Sequence, residues 1–145
     1  MPAVPDAEGL RLAPPLDVTA IVVTAAVVER DGRFLVTRRQ KGVHLEGCWE
    51  FPGGKCDPGE SLEACLAREL REELDVGATV GAEIYTTTHA YPERRVELHF
   101  LRCEIDGDPR PLLGQEIRWV AREDLGSLQF PPADAELIAM LVNTP

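Results

Sequence analysis

Residues 18–28 read VTAIVVTAAVV, an almost unbroken β-branched and apolar run. Such a run predicts a strand whose two faces are both covered by other parts of the chain. The rest of the pattern supplies the cover. Arg30-Asp31-Gly32-Arg33 is a turn, with Asp-Gly as its strongest signal, and Phe34-Leu35-Val36 opens a second strand ending in Thr37-Arg38-Arg39. Ser61 is a good N-cap, Glu63 suits the first helical turn, and Leu62, Leu66 and Leu70 recur at four-residue steps. The spacing predicts a helix over 62–74. Strands are expected near 80–89 and 95–105, joined at Tyr91-Pro92-Glu93-Arg94, with another near 116–121 and a last helix near 133–142 after Pro131-Pro132. The order is mixed, strands, helix, strands and helix, all in one domain.

The charge balance limits what the chain can hold. Fifteen basic residues stand against twenty-five acidic ones, for a net charge of −10. So acidic a chain has no broad basic surface for nucleic acid, and any phosphate it handles needs a few focused cations or metal ions. At 44% hydrophobic and 28% charged, the 145 residues suit one globular domain. Residues 1–16, with four prolines, read as an irregular arm, and 17–145 as a single domain. No run approaches the roughly 18 apolar residues of a membrane span. Asp6 and Glu8 precede any basic residue, and no apolar core of signal-peptide length follows. The expected location is cytoplasmic, with no membrane partner. Cys48, Cys56, Cys65 and Cys103 contain no C-x-x-C pair, so reduced, individually placed thiols are expected.

The chemistry concentrates in residues 53–76, GGKCDPGESLEACLARELREELDV. Glu69, Glu72 and Glu73 stand at i, i+3 and i+4 on the predicted helix, so they share one face. On an arbitrary helix this would be a solvated charged surface. Here Gly53-Gly54 and Pro58-Gly59-Glu60 form two turns that lead into the helix and permit close backbone approach. A glycine-lined loop beside clustered carboxylates suits a hard divalent cation such as Mg²⁺, which takes oxygen ligands and commonly bridges to phosphate.

Residues 54–76 resemble the Nudix box: Gly, five residues, Glu, seven residues, then Arg-Glu-U-x-Glu-Glu-x-Gly-U, with U aliphatic. The chain supplies Gly54, Glu60, Arg68, Glu69, Leu70, Glu72, Glu73 and Val76. One fixed position departs, since Asp75 replaces the second Gly, and Asp is among the few residues that tolerate the left-handed conformation needed there. The resemblance implies an α/β/α sandwich, with a mixed central sheet flanked by helices, that hydrolyses a nucleoside diphosphate linked to another group. It makes Glu69, Glu72 and Glu73 ligands of Mg²⁺ or Mn²⁺, assisted by the Gly54 carbonyl. Arg68 and Glu60 would brace the loop, and Glu69 or Glu72 would take the proton from the attacking water.

Residues 18–142 further resemble the MutT-type branch, which cleaves nucleoside triphosphates to monophosphate and pyrophosphate. Thr37-Arg38-Arg39, Trp49-Glu50-Phe51-Pro52-Gly53-Gly54-Lys55 and Phe130-Pro131-Pro132-Ala133-Asp134 carry this likeness. It implies that Arg39, His44, Phe51, Lys55 and Asp134 contact the nucleotide, which would be the chain's small-molecule partner, bound by a monomer or homodimer. Branch members directed at oxidised guanine often have Asn where Asp134 stands, and cytosine-directed relatives have Asp. An ionised Asp134 would only accept hydrogen bonds, leaving oxidised guanine and cytosine both open. A further metal-binding carboxylate is common six residues before the late-strand tryptophan. Counting from Trp119 gives Leu113, so the set is one ligand short or Glu116 stands in. His89 and His99 read as packing or surface residues without a carboxylate partner at metal-ligand spacing. The competing readings are a hydrolase of ADP-ribose, nucleotide sugars or similar compounds, and a binding module that has lost catalysis.

Overall fold

The computed structural model describes residues 20–43, 45–92 and 94–144, so the arm read over 1–16 and the candidate His44 lie outside the described residues. The 18–28 run forms β1 (Ala20–Val27), and its alternating side chains enter two different cores. Ala25 and Val27 join one core, Ala26 and Val28 the other. Asp31 and Gly32, at φ 54° and 77°, turn β2 (Glu29–Arg30) into β3 (Arg33–Arg38). There Phe34 and Val36 face the first core while Leu35 faces the second.

The chain continues through β4 (Trp49–Glu50), β5 (Gly53–Lys55), α1 (Leu62–Leu74), β6 (Gly77–Tyr91), β7 (Arg94–Asp106) and β8 (Ile117–Ala121). Two 3-10 turns (Arg122–Ser127 and Pro132–Asp134) precede α2 (Ala135–Asn143). One four-stranded sheet runs β5-β1-β7-β6. Its β1–β7 pair is parallel, from Ala20 opposite Arg95 to Val27 opposite Arg102, and its other pairs are antiparallel, so the sheet is mixed. In the smaller antiparallel sheet, β3 pairs with β2, β4 and β8.

Helices cover both faces. α1 buries Leu66, Leu70 and Leu74 with Leu101 and Cys103. α2 buries Leu137, Ile138 and Leu141 with Phe34, Phe51 and Phe100. The result is an α/β/α sandwich. The last helix begins later than its sequence pattern suggests, because residues 132–134 first make a 3-10 turn after two prolines that donate no backbone hydrogen bond. Among the described residues, no helix is long and apolar enough to cross a membrane.

Both ends of α1 are set locally. Ser61 Oγ accepts from the Ala64 amide at 3.1 Å. Asp75 closes the helix at φ 57°, ψ 42°, donating its backbone N–H to the Arg71 carbonyl and accepting from Arg110 at 3.2 Å. A left-handed residue with a side chain is strained, and the exposed ion pair offsets little of that strain. Asp75→Gly is expected to stabilise the fold by roughly 0.5 kcal/mol, read as a slightly higher melting temperature with unchanged activity.

One expectation about the cysteines fails. Cys56 and Cys65 are joined by a disulfide, their Cα atoms 5.2 Å apart. The loop from β5 turns back on itself before α1, so residues nine apart in sequence meet across it, a closure that sequence spacing alone does not reveal. Cys48 and Cys103 are free and buried.

Candidate active site

The site begins with how closely α1 docks on β5. β5 runs antiparallel to β1, with Gly54 opposite Thr24 and Gly53 opposite Ala25. A Cβ on Gly53 would strike the Thr24 carbonyl and come within 2.8 Å of the Ala25 Cα. A Cβ on Gly54 would strike the Glu69 carboxylate. Gly53 is therefore required by backbone contact, whereas at Gly54 a side chain would displace the flexible end of Glu69 from the β5 backbone.

Arg68 organises the loop and the acids around it. Its Nε and Nη2 donate to the two oxygens of Glu60 at 2.7 and 2.9 Å, a bidentate pair. Nη2 also donates to the Lys55 carbonyl at 3.2 Å. Nη1 donates to Glu69 at 2.8 Å and Glu72 at 3.1 Å. One guanidinium thus ties the loop that follows β5 to the acidic face of α1. The Arg68 hydrogen bonds, with a further one from the Asp57 amide, hold Glu60 down to about 2. A carboxylate whose folded value is depressed contributes stability above its unfolded value, near 4.3 in a free chain, and loses it as pH falls toward the folded value. Glu60→Gln is accordingly expected to flatten the stability profile between about pH 4.3 and 2, checked by denaturant unfolding across that range.

Glu73 lies one turn beyond Glu69. Burial pushes its carboxyl up strongly, as do a hydrogen bond with Glu69 and the charges of Glu69, Glu50 and Glu72. Arg68 serves Glu69 and Glu72 and Arg39 pairs with Glu50 at 2.9 Å, while among the described residues Glu73 has no ion pair. With the Gly54 backbone these acids provide an oxygen-only donor set that fits a hard divalent cation. Glu69 is nearly covered, at 13% side-chain exposure, and Glu72 is open at 58%.

A cavity of about 460 Å³ extends from these acids. Gly54, Lys55, Glu69 and Glu73 line it, as do Phe51, Ala133 and Asp134. Phe51 is 3% exposed and stacks on Phe130 with ring centres 5.5 Å apart, so it serves both the core and the cavity wall. Arg39 and Glu50 also reach the cavity. Asp134 makes no capping bond to α2, so its side chain is not engaged as a helix cap. It is 4% exposed, and burial, then the charge of Glu50, pushes it up to about 7. This corrects the expectation of a simply ionised acceptor: near neutrality the carboxyl is partly protonated and can donate as well as accept.

Other sequence-based assignments change in three dimensions. Glu116 pairs with Arg38 at 3.5 Å and Arg118 at 3.2 Å and does not line the cavity, so it does not stand in for Leu113. Leu113 is exposed, and the adjacent buried Gln115 donates to the Glu73 carbonyl at 3.1 Å. The acid that does approach Glu73 is Glu50, within the Trp49-Glu50-Phe51 segment but without alternation or spacing to mark it. His89 lines the cavity beside Tyr91, their ring centres 4.8 Å apart. His99 does have carboxylate partners, Glu83 at 2.6 Å from across the β6–β7 ladder and Glu97 at 3.4 Å.

An acidic helix drawn onto a glycine backbone beneath a cavity of nucleotide size places the protein among divalent-metal hydrolases of phosphoric anhydrides. The chain belongs to the NUDIX domain family, whose profile matches residues 23–140, and within it to the MutT-type pyrophosphohydrolases. It is 39% identical over 131 residues to an 8-oxo-dGTP diphosphatase of Haemophilus influenzae, covering 88% of this chain and 96% of that one. It is 37% identical over 118 residues to a CTP pyrophosphohydrolase of Escherichia coli, covering 81% and 86%. The structure of a MutT NUDIX hydrolase from Burkholderia pseudomallei superposes with a TM-score of 0.72 at 28% identity, covering 86% and 98%.

Proposed function

We propose that this chain hydrolyses a nucleoside triphosphate, ordinary, oxidised or otherwise modified, to the monophosphate and pyrophosphate, and so clears unwanted nucleotides from the cytoplasmic pool. The observation that carries this reading is one cavity lined both by Glu69, Glu73 and Lys55 and by Phe51 and Asp134. Acids with a lysine suit metal-bound phosphates, and an aromatic ring with a buried carboxyl suits a base. The names of the relatives from Haemophilus influenzae and Escherichia coli agree with a triphosphate and divide over the base.

In this reading Glu69, Glu72, Glu73 and the Gly54 carbonyl hold Mg²⁺, or Mn²⁺ in its place. The metal supplies charge neutralisation for the phosphates and a more acidic bound water. Arg68 fixes Glu69 and Glu72 in orientation, and Glu60 fixes Arg68. Glu69, which lines the cavity, or Glu72, which does not but shares Arg68 with it, takes the proton of the attacking water. Lys55 meets the phosphates from the end of β5. Phe51 and Asp134 set the base, with Arg39 holding Glu50 beside them.

The test is release of pyrophosphate, with Mg²⁺, from ordinary and 8-oxo purine triphosphates, CTP, dCTP, 5-methyl-dCTP, ADP-ribose and a nucleotide sugar. Pyrophosphate from one preferred triphosphate supports the proposal and names the base. Turnover confined to ADP-ribose or the sugar replaces it with the diphosphate-compound reading.

A further inference from the structure

We infer that Cys56 and Cys65 form a reversible redox site, opened by thiols and closed by small-molecule disulfides, which clamps the end of β5 onto α1 and raises the affinity of the neighbouring acids for a divalent cation. Three observations lead there. First, Cys56 follows Lys55 directly and is half-buried, lining an open cleft of about 750 Å³ with Asp57, Glu60 and His99. Cys65 is fully buried beneath it. An incoming thiol therefore reaches the Cys56 sulfur first, and Cys65 is the leaving thiol.

Second, the sulfurs have each other as partners. The Glu60 carboxylate lies within 4.8 Å of both but is engaged by two hydrogen bonds from Arg68. In a compartment kept reducing, a disulfide with one sulfur at an open cleft is opened by thiols and is not permanent.

Third, the pair adjoins the proposed ligands. Cys65 stands four residues before Glu69, on the face of α1 that meets β5, and its sulfur lies 3.7 Å from the Gly54 carbonyl and 3.3 Å from Thr24 Oγ1. As a thiol, Cys65 carries a hydrogen that it can donate to that carbonyl. As half of a disulfide it carries none, so the carbonyl keeps more of its electron density for a cation. The clamp also restricts the loop over residues 56–65.

The chemistry balances by exchange with glutathione disulfide. Cys56 thiolate attacks one of its sulfurs and releases one glutathione. Cys65 then attacks the Cys56 sulfur of the mixed disulfide and releases a second, and the two protein protons end on the two glutathiones.

Reduced protein is incubated with glutathione disulfide, free thiols are alkylated, and the tryptic peptide 56–68, which carries both cysteines, is weighed. The expected product is lighter than the dithiol by two hydrogens and carries no alkyl group, while Cys65→Ser instead retains glutathione on Cys56. Cys56→Ser provides a second variant, one without the reactive sulfur, and should take up no glutathione at this peptide. The oxidised protein is expected to melt about 5–10 °C higher and to bind Mn²⁺ roughly two- to five-fold more tightly, with neither shift in Cys56→Ser. Failure of the link to form, or a link that leaves Mn²⁺ affinity unmoved whatever it does to melting, overturns the inference. The coupling to metal rests on the ligand assignment proposed above. Absence of Mn²⁺ binding in both redox states would refute that assignment and the coupling together, whereas a wrong nucleotide would leave every one of these readings unchanged.

Discussion

Glu73→Gln and Glu72→Gln are each expected to reduce kcat by on the order of 10³-fold or more while leaving the fold intact. The two halves of this expectation have separate causes. Removing one negative ligand weakens the neutralisation of the phosphates at the step where their charge shifts most, a loss of several kcal/mol in transition-state stabilisation. Stability responds differently. Glu73 sits among Glu69, Glu72 and Glu50, so a neutral amide relieves repulsion, and the metal-free variant should melt no lower than the parent. Glu72 is 58% exposed and contributes one pairing to Arg68, worth a few tenths of a kcal/mol. The informative readout is the melting temperature with and without Mg²⁺ or Mn²⁺. The parent should gain in proportion to ligand occupancy, and the variants much less. Turnover that survived both substitutions would show that these acids do not hold the metal. Glu69→Gln tests the same point less cleanly, because Glu69 also accepts from Arg68 and presses on Gly54.

The helix that carries the candidate site was legible because its signals are local. Ser61, the leucine spacing and the three glutamates all lie on one helix, so periodicity alone places them on their faces, and α1 spans Leu62–Leu74 as the pattern predicts. The continuous apolar run at 18–28 likewise specifies a strand between two layers, because side chains of one parity enter one core and those of the other parity the second. What was not legible depends on residues far apart in sequence. Glu50 reaches Glu73 only because β4 pairs with the end of β3 beside the acidic helix. His99 meets Glu83 only through a ladder whose register shifts between Val80 and Tyr85, and no spacing in either strand encodes that irregularity. The Cys56–Cys65 contact depends on the path of the loop between β5 and α1. Asp134 was legible as a residue but not as an acid, since its protonation follows from burial and from Glu50, neither of which is encoded in the Pro-Pro-Ala-Asp segment.

That burial makes Asp134→Asn the second decisive variant. A carboxyl raised to about 7 binds more protons in the folded than in the unfolded chain, where an aspartate titrates near 3.9. Between those values the folded state loses stability as pH rises, and above about 7 the loss is complete. Asn does not titrate. The variant should therefore show a shallower falling limb between about pH 4 and 7, the remainder coming from Glu73, whose carboxyl is also raised, and at pH 8 it should be more stable than the parent by roughly 2–4 kcal/mol, measured by denaturant unfolding. Parent and variant profiles with equal slopes over that range would mean that Asp134 is not desolvated beside Glu50. The same substitution tests recognition. A carboxyl near its midpoint at neutrality changes from donor-and-acceptor to acceptor alone as pH rises, so the parent's ranking of nucleotides should change between pH 6 and 8, with bases offering a donor edge gaining at the higher pH. Asn keeps one donor and one acceptor throughout, and its ranking should be constant across that range. If parent and variant rank the nucleotides alike at every pH, Asp134 does not read the base, and the wall around Phe51 must choose it by shape.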